Sequence, residues 1–343
     1  RYTLRLFSVS SAAVHTPLDD AGESLRLDVI PAYLEHLRRE GAPAAYVCGS
    51  TGESLSLSIA ERCRVLEAWI EAAGAVIREI AERLNIPVIT SYKAKGLIPE
   101  THPLCLGGAG LSPLADSILV PFVQRADLIL CVGYDPIEMR IDWRHAWSTG
   151  LEGKTVIEVA DHPNTHYVHQ ADISFVCDVG EGVKVLTHGL NGKETWKDGA
   201  IEIMRAQLRD AFPRDESWGP AAVIDAARAA FPKDGFAAVD TGAHRILLSQ
   251  QWDCYLPRTL AQSTGLCTMG CAVPIALGHK IANPDTPVIA FTGDGGMEMI
   301  LGELATLRDM KLPVVIVVFV DESLALIELK QRANRQDNLG VDF

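Results

Sequence analysis

Val288-Ile-Ala-Phe-Thr-Gly-Asp-Gly-Gly296 carries an apolar strand straight into a glycine turn holding one carboxylate. Another apolar run, Pro313 to Val320, ends in Asp321-Glu-Ser323, and Asp321 follows Asp294 by 27 residues, the length of one helix and one strand. Open α/β sheets bind ligands at the carboxyl ends of their strands, so two neighbouring strands would bring both carboxylates to one edge. Gly293, Gly295 and Gly296 let backbone N–H groups come close to a phosphate, and a helix beginning there favours negative charge. Asp294 and Asp321 then suit Mg²⁺ bridging a diphosphate, because this hard, six-coordinate ion takes few protein oxygens and draws them from separate loops. A lone GDG after a strand reads better as a plain turn, so the second carboxylate at this spacing carries the argument.

The same alternation extends in both directions from this segment. Upstream, Pro220 to Ala230 reads as a helix, Gly235 to Asp240 as a strand and Met269 to Ala282 as a glycine-rich helix, with Gly302 to Met310 as the crossover helix. Asn191 to Glu216 is polar around one helix, Ala200 to Phe212, and reads as a linker carrying a surface helix. Before it, Ala75 to Leu84 is helical, while Pro87 to Thr90, Ala126 to Gly133, Lys154 to Ala160 and Ile173 to Cys177 read as strands of a second parallel sheet. Near the start, a helix over Leu25 to Glu40 and a strand over Ala44 to Cys48 feed the loop Gly49-Ser-Thr-Gly-Glu53. A helix from Ile59 to Ala73 follows, capped by Ser58. The expected class is α/β with two doubly wound parallel-sheet domains. Expected boundaries are 1–74, 75–190, a linker at 191–217, and 218–343, cut short at its C-terminus.

Composition narrows the function. At 343 residues and 48% hydrophobic, the chain can bury its cores without disulfides. A formal charge of −13 and the lack of a Lys/Arg run argue against nucleic-acid and acidic-membrane partners. No run reaches the ~18 apolar residues of a membrane span. The eight cysteines include no CxxC pair and read as buried thiols in a reducing cytoplasm. His162, His166 and His169 have metal-like spacing but share a loop with Pro163 and Asn164, which favours a structural reading. Both ends of the sequence are expected to be cuts.

Two segments carry a resemblance. Thr292 to Asp321 resembles the diphosphate-binding motif of thiamine-diphosphate enzymes, and Gln262-Ser-Thr-Gly-Leu-Cys-Thr-Met-Gly270 is similar to the GLGTMG segment of the acetolactate-synthase-like group. Thr90 to Pro99, Gly107 to Gly110 and Val132 to Asp135 fit the central domain of such enzymes, where Lys93, Lys95 and His102 read as surface or structural residues. The resemblance implies thiamine diphosphate and Mg²⁺ as cofactors, with Asp294, Asp321 and the Ser323 carbonyl as metal ligands. Gly265, Cys267, Thr268 and Met269 would lie against the aminopyrimidine, Met269 as the apolar fulcrum and Cys267 through its carbonyl. Read alone, Cys267 and Met269 would be core residues.

Residues 1–74 follow a different pattern. His15 to Gly22, with Cys48-Gly-Ser-Thr-Gly-Glu53 downstream, resembles the start of the dihydrodipicolinate synthase and N-acetylneuraminate lyase family, which are TIM barrels. That resemblance makes Ser50 and Thr51 donors to a 2-keto acid carboxylate. Two of eight strands cannot close a barrel, so this piece is expected to be an incomplete βα fragment. It stands where a thiamine-diphosphate enzyme has its pyrimidine domain, and no Glu in it matches the one that faces the cofactor. The implied chemistry is 2-keto acid decarboxylation or carboligation, in a homodimer or with a partner chain supplying the pyrimidine domain. The alternatives are a Schiff-base 2-keto acid aldolase or lyase, a non-catalytic binding or scaffold protein, and a chimera without evolved function.

Overall fold

The computed structural model describes residues 11–13, 16–19, 24–39, 44–46, 75–136, 139–140, 143–144, 146, 154–164, 169–192, 196–214, 216–264 and 266–342. The loop with Ser50 and Thr51, the helix expected over Ile59 to Ala73, His166 and Gly265 lie outside the described residues. At the start, β1 (Ser11–Ala13) pairs in parallel with β2 (Ala44–Tyr46), and α1 (Ile30–Arg39) lies between them in sequence, preceded by a short 3-10 turn at Leu27–Val29.

The chain divides into two compact units, one of residues 1–87, 120–137 and 141–198, the other of 88–119, 138–140 and 199–343. In the first, β5 (Leu128–Val132), β6 (Thr155–Ala160) and β7 (Ile173–Val176) form a parallel sheet in that order. Residues 75–84 form helix α2, and α4 (Val179–Thr187) begins at Asp178, whose carboxylate accepts from Glu181 N–H at 2.9 Å. Val76, Ile80, Val159 and Val183 meet in a core cluster, the helical pair at the i, i+4 spacing that keeps one face inward. His169 is buried with Nε2 at 2.8 Å from the Trp143 carbonyl and Nδ1 at 3.1 Å from the Tyr134 hydroxyl, while His162 is exposed beside Asp161. A structural role fits His169, in keeping with its sequence reading.

The second unit holds β3 (Val88–Ser91) paired with β4 (Cys105–Ala109), and a four-stranded parallel sheet. That sheet contains β8 (Phe236–Val239), β9 (Leu260–Gln262), β10 (Val288–Gly293) and β11 (Val315–Phe319), in the order β11-β10-β8-β9. Its helices are α6 (Pro220–Ala230), α7 (Ala243–Gln251), α8 (Ala272–Ala282), the short α9 (Asp294–Glu298), α10 (Glu303–Met310) and α11 (Ala325–Ala333), with α5 (Ala200–Ala211) ahead of them. The helix α3 (Pro113–Gln124) carries Pro121 inside it.

Strand alternation sorts the core of this unit onto the two faces of the sheet. Ala237 and Val239 join Ile224, Leu248, Trp252 and Phe291 on one face, while Phe236 and Ala238 join Ala272, Val273, Ala276 and Leu277 on the other. Both faces are covered, which is why every residue of β8 is buried and its sequence reads as an unbroken apolar run. The glycine-rich helix expected from Met269 begins only at Ala272: Gly270 takes φ +77°, a left-handed conformation that no helix accommodates. Helix α5 buries Ala200, Ile201 and Met204, and its Arg205 donates to the His102 and Cys105 carbonyls. Lys95 is buried in an ion pair with Glu100. It is a structural lysine.

Candidate diphosphate site

Because the sheet runs β11-β10-β8-β9, the chain leaves β8 for one neighbour, β9, and later returns on the other side as β10. The strand order switches there, and the crevice at the carboxyl ends of such strands is where α/β sheets take ligands. Each strand delivers its own residue to this edge. Asp240 follows β8, Ser263 follows β9, Asp294 follows β10, and Asp321 lies two residues beyond β11.

Asp240 ties these loops together. Its side chain is fully buried. One carboxylate oxygen accepts from Gly270 N–H at 2.7 Å and from the Thr292 hydroxyl at 3.0 Å. The other accepts from Thr241 N–H at 2.7 Å and Cys271 N–H at 3.2 Å. A buried carboxylate is tolerated when donors surround it in this way. A Cβ on Gly296 would run into Asp240 Oδ2, and one on Gly270 would meet the Gly296 carbonyl at 3.3 Å. Those two positions therefore need glycine, and the loop at 267–270 is held against the Gly293–Gly296 turn. Sequence reading took Asp240 only as the end of a strand. The available signal was a lone carboxylate closing an otherwise apolar run, directly before Thr241-Gly242.

At the neighbouring strand tip, Asp294 Oδ2 accepts from the backbone N–H groups of Asp321 (3.1 Å) and Glu322 (2.8 Å), and Oδ1 from Gly295 N–H (2.8 Å). The register Gly293↔Phe319 of the parallel β10–β11 pair brings the two tips side by side. Burial and the charge of Asp294 push the Asp321 carboxyl above its ordinary pKa, partly offset by Ser323 N–H, which donates to it at 3.3 Å. Ser323 also donates through its hydroxyl to Glu328 at 3.1 Å and forms an antiparallel bridge with Asp342. Among the described residues no group of three or more His, Cys, Asp and Glu is arranged to hold a metal by itself. Two carboxylates fit an ion whose remaining positions are filled by phosphate, carbonyl and water oxygens.

Two further groups point at the site. His244, near the start of α7, packs against Gly293 and stacks on Phe319 with ring centroids 5.4 Å apart. Burial pushes its pKa down to about 4, against the opposing pull of Asp240, so the ring is neutral at pH 7. His244 Nε2 and Thr241 Oγ1 are buried without a hydrogen-bond partner, while the Cε1–Nδ1 edge of the ring is the one nearest Gly293. Neither was singled out from the sequence.

The remaining expected residues are distributed along the loop after β9. Cys267 is half-buried at φ +49°, Thr268 is exposed and Met269 is half-buried. Cys267 Sγ lies 3.6 Å from both terminal nitrogens of Arg245, whose NH1 also donates to the Ser263 carbonyl at 2.8 Å. The loop reaches the turn through Gly270 and Asp240. Ser50, Thr51 and Gly265 lie outside the described residues.

Comparison with known proteins places these residues within matched families. Residues 240–342 match the thiamine pyrophosphate enzyme C-terminal TPP binding domain, and residues 67–186 the thiamine pyrophosphate enzyme central domain. Residues 6–83 match the dihydrodipicolinate synthetase family, so two patterns overlap over 67–83. Among curated relatives, the acetolactate synthase isozyme 1 large subunit of Escherichia coli (strain K12) is 28% identical over 267 residues, covering 76% of this chain and 46% of that protein. The acetolactate synthase of Bacillus subtilis (strain 168) is 24% identical over 78% of this chain and 47% of its own length. A probable acetolactate synthase large subunit of Methanocaldococcus jannaschii is 28% identical over 75% and 45%. The chain spans about half the length of these relatives. No helix among the described residues is long and apolar enough to cross a membrane. Behind a segment that matches the dihydrodipicolinate synthetase family, this chain matches the central and C-terminal domains of the thiamine pyrophosphate enzymes and resembles the acetolactate synthases among them.

Proposed function

We propose that the edge formed by β8, β9, β10 and β11 binds thiamine diphosphate together with Mg²⁺. The observation that carries this reading is the pair of carboxylates, Asp294 and Asp321, brought together by adjacent parallel strands beside the orphaned His244 Nε2 and Thr241 Oγ1. Asp294, Asp321 and the Ser323 carbonyl would hold the ion. Thr241 and His244 would donate to phosphate oxygens, the neutral imidazole serving as a hydrogen-bond donor without adding charge. Gly293 to Gly296 let the diphosphate come close, and Cys267 to Met269 line the side where the pyrimidine belongs. Bound there, thiamine diphosphate supplies an electron sink for 2-keto acid decarboxylation or carboligation.

The chain's own residues do the binding and orienting. The carboxylate that faces the pyrimidine in such enzymes is supplied, in this reading, by a pyrimidine domain on a partner chain, within a homodimer or a mixed assembly. Isothermal titration with thiamine diphosphate tests the binding. Micromolar affinity that depends on Mg²⁺ is expected, with Asp294→Ala weakening it at least tenfold; no heat at high micromolar cofactor, or equal affinity in Asp294→Ala, would overturn the proposal.

A further inference from the structure

The loop that closes the cofactor edge carries two cysteines, Cys267 and Cys271, both half-buried and four residues apart, and both sulfurs lie against Ser263. Cys267 Sγ lies 3.7 Å from the Ser263 carbonyl, and Cys271 hydrogen-bonds the Ser263 hydroxyl. Burial pushes the Cys271 thiol up to about 11, as it does Cys105; what sets Cys267 and Cys271 apart is the shared neighbour Ser263, with Arg245 beside one sulfur and Asp240 beside the other.

We propose that Cys267 and Cys271 are a peroxide-responsive dithiol, and that closing it to a disulfide releases thiamine diphosphate from the edge described above; the second clause rests on the proposed function. The chemistry is divided between the two residues. Both terminal nitrogens of Arg245 face Cys267 Sγ, and Arg245 is buried, with one nitrogen also donating to the Ser263 carbonyl, so the guanidinium is fixed where negative charge gathers on an attacking sulfur. Cys271 Sγ donates to Asp240 Oδ1 at 3.5 Å, and burial together with this carboxylate pushes the thiol up to about 11, so Cys271 reacts from its protonated form.

The steps balance. Cys267 sulfur attacks one oxygen of hydrogen peroxide, the O–O bond breaks, and a sulfenic acid forms with release of one water. Cys271 then attacks that sulfur; the S–O bond breaks, the S–S bond forms, and the thiol proton passes to the departing hydroxyl, which leaves as a second water. Two thiols have lost two electrons and the peroxide has gained them.

Forming the bond requires an S–S distance of ~2.05 Å and a confined dihedral, so the residues between, Thr268 to Gly270, must move. Gly270 N–H and Cys271 N–H both donate to Asp240, and Gly270 packs on the Gly296 carbonyl. A shift of this loop therefore reaches the glycine turn directly.

The test uses the full chain, reduced and then exposed to a small molar excess of hydrogen peroxide. The expected result is a Cys267–Cys271 linked peptide with a loss of two hydrogens in mass spectrometry, reversed by dithiothreitol and missing in Cys267→Ser and Cys271→Ser. Arg245→Met should slow the step at least tenfold while leaving linkage by diamide intact. Titration with thiamine diphosphate and Mg²⁺ should show affinity at least tenfold weaker in the oxidised chain and restored on reduction. A chain that gives only sulfinic acid, or links other cysteines, overturns the dithiol. A correct link with unchanged affinity overturns its coupling to the cofactor. If the reduced chain takes up no cofactor at all, the function reading fails, and peptide mapping still judges the pair.

Discussion

Asp240 is a buried carboxylate facing four N–H and O–H donors and the Cys271 thiol, and that predicts how it fails. In Asp240→Asn one oxygen becomes an amide whose N–H groups point at N–H and O–H donors, so at least two buried donors lose their acceptor. The expected cost is roughly 2–4 kcal/mol, read as a lower urea midpoint at pH 7. A variant within 0.5 kcal/mol of the parent would mean that the hub is replaceable. His244 makes a prediction about pH. Its folded pKa, about 4, lies below the ordinary 6.5, so the unfolded chain binds the extra proton between those values. Its contribution is fully present above pH 6.5 and is lost as pH falls toward 4, by roughly 3 kcal/mol at most. His169 and His279, also lowered chiefly by burial, act in the same direction. Urea melts at pH 7 and 4.5 should show a smaller acid loss for His244→Gln than for the parent; equal losses would rule out this residue as a source. Asp294 and Asp321 stood out in the sequence because each ends an apolar run and the two are one helix and one strand apart. Asp240 ends such a run too, but neither it nor His244 carries a local mark of its contacts with residues far away in sequence.

At the scale of elements, the buried pair Lys95–Glu100 joins the turn after β3 to the segment after α7. Glu100 Oε2 accepts from Cys254 N–H at 2.6 Å, and Glu100 N–H donates back to the Cys254 carbonyl at 3.0 Å. Both side chains are less than 10% exposed, so Lys95→Met strands a carboxylate in the interior. The expected loss is about 3–5 kcal/mol, with more than half recovered in Lys95→Met/Glu100→Gln. A double variant as unstable as the single one would place the cost in packing instead. The elements read correctly from sequence were those with one dominant pattern, such as the apolar runs of β8, β10 and β11. Others offered no such pattern. β4 has two glycines in five residues, β9 is three residues long, and α3 contains a proline that argues against a helix. α7 buries Arg245, Ser249 and Gln251 beside Leu248, so its inward face is largely polar and hydrophobic periodicity passes over it.

At the scale of the whole molecule, the change from one family pattern to another near Gly74 was legible because the motifs on either side belong to unrelated folds. The division into compact units was not, since β3 and β4 cluster with the C-terminal residues and contact partners of that kind leave no mark on local sequence. Long separation also has a kinetic meaning. Asp240 gathers groups 30, 31 and 52 positions away, the last the same separation as the Val239↔Phe291 strand pairing, and its side-chain bonds are predicted to lock only after those strands have paired. Asp240→Asn should therefore leave the refolding rate within about twofold and place its effect on unfolding, an outcome that stopped-flow chevrons would show directly. Slowed refolding would instead put the hub in the folding nucleus. As a late contact, this carboxylate acts as a brake on opening, and the lifetime of the assembled edge becomes a matter of rate as much as of equilibrium.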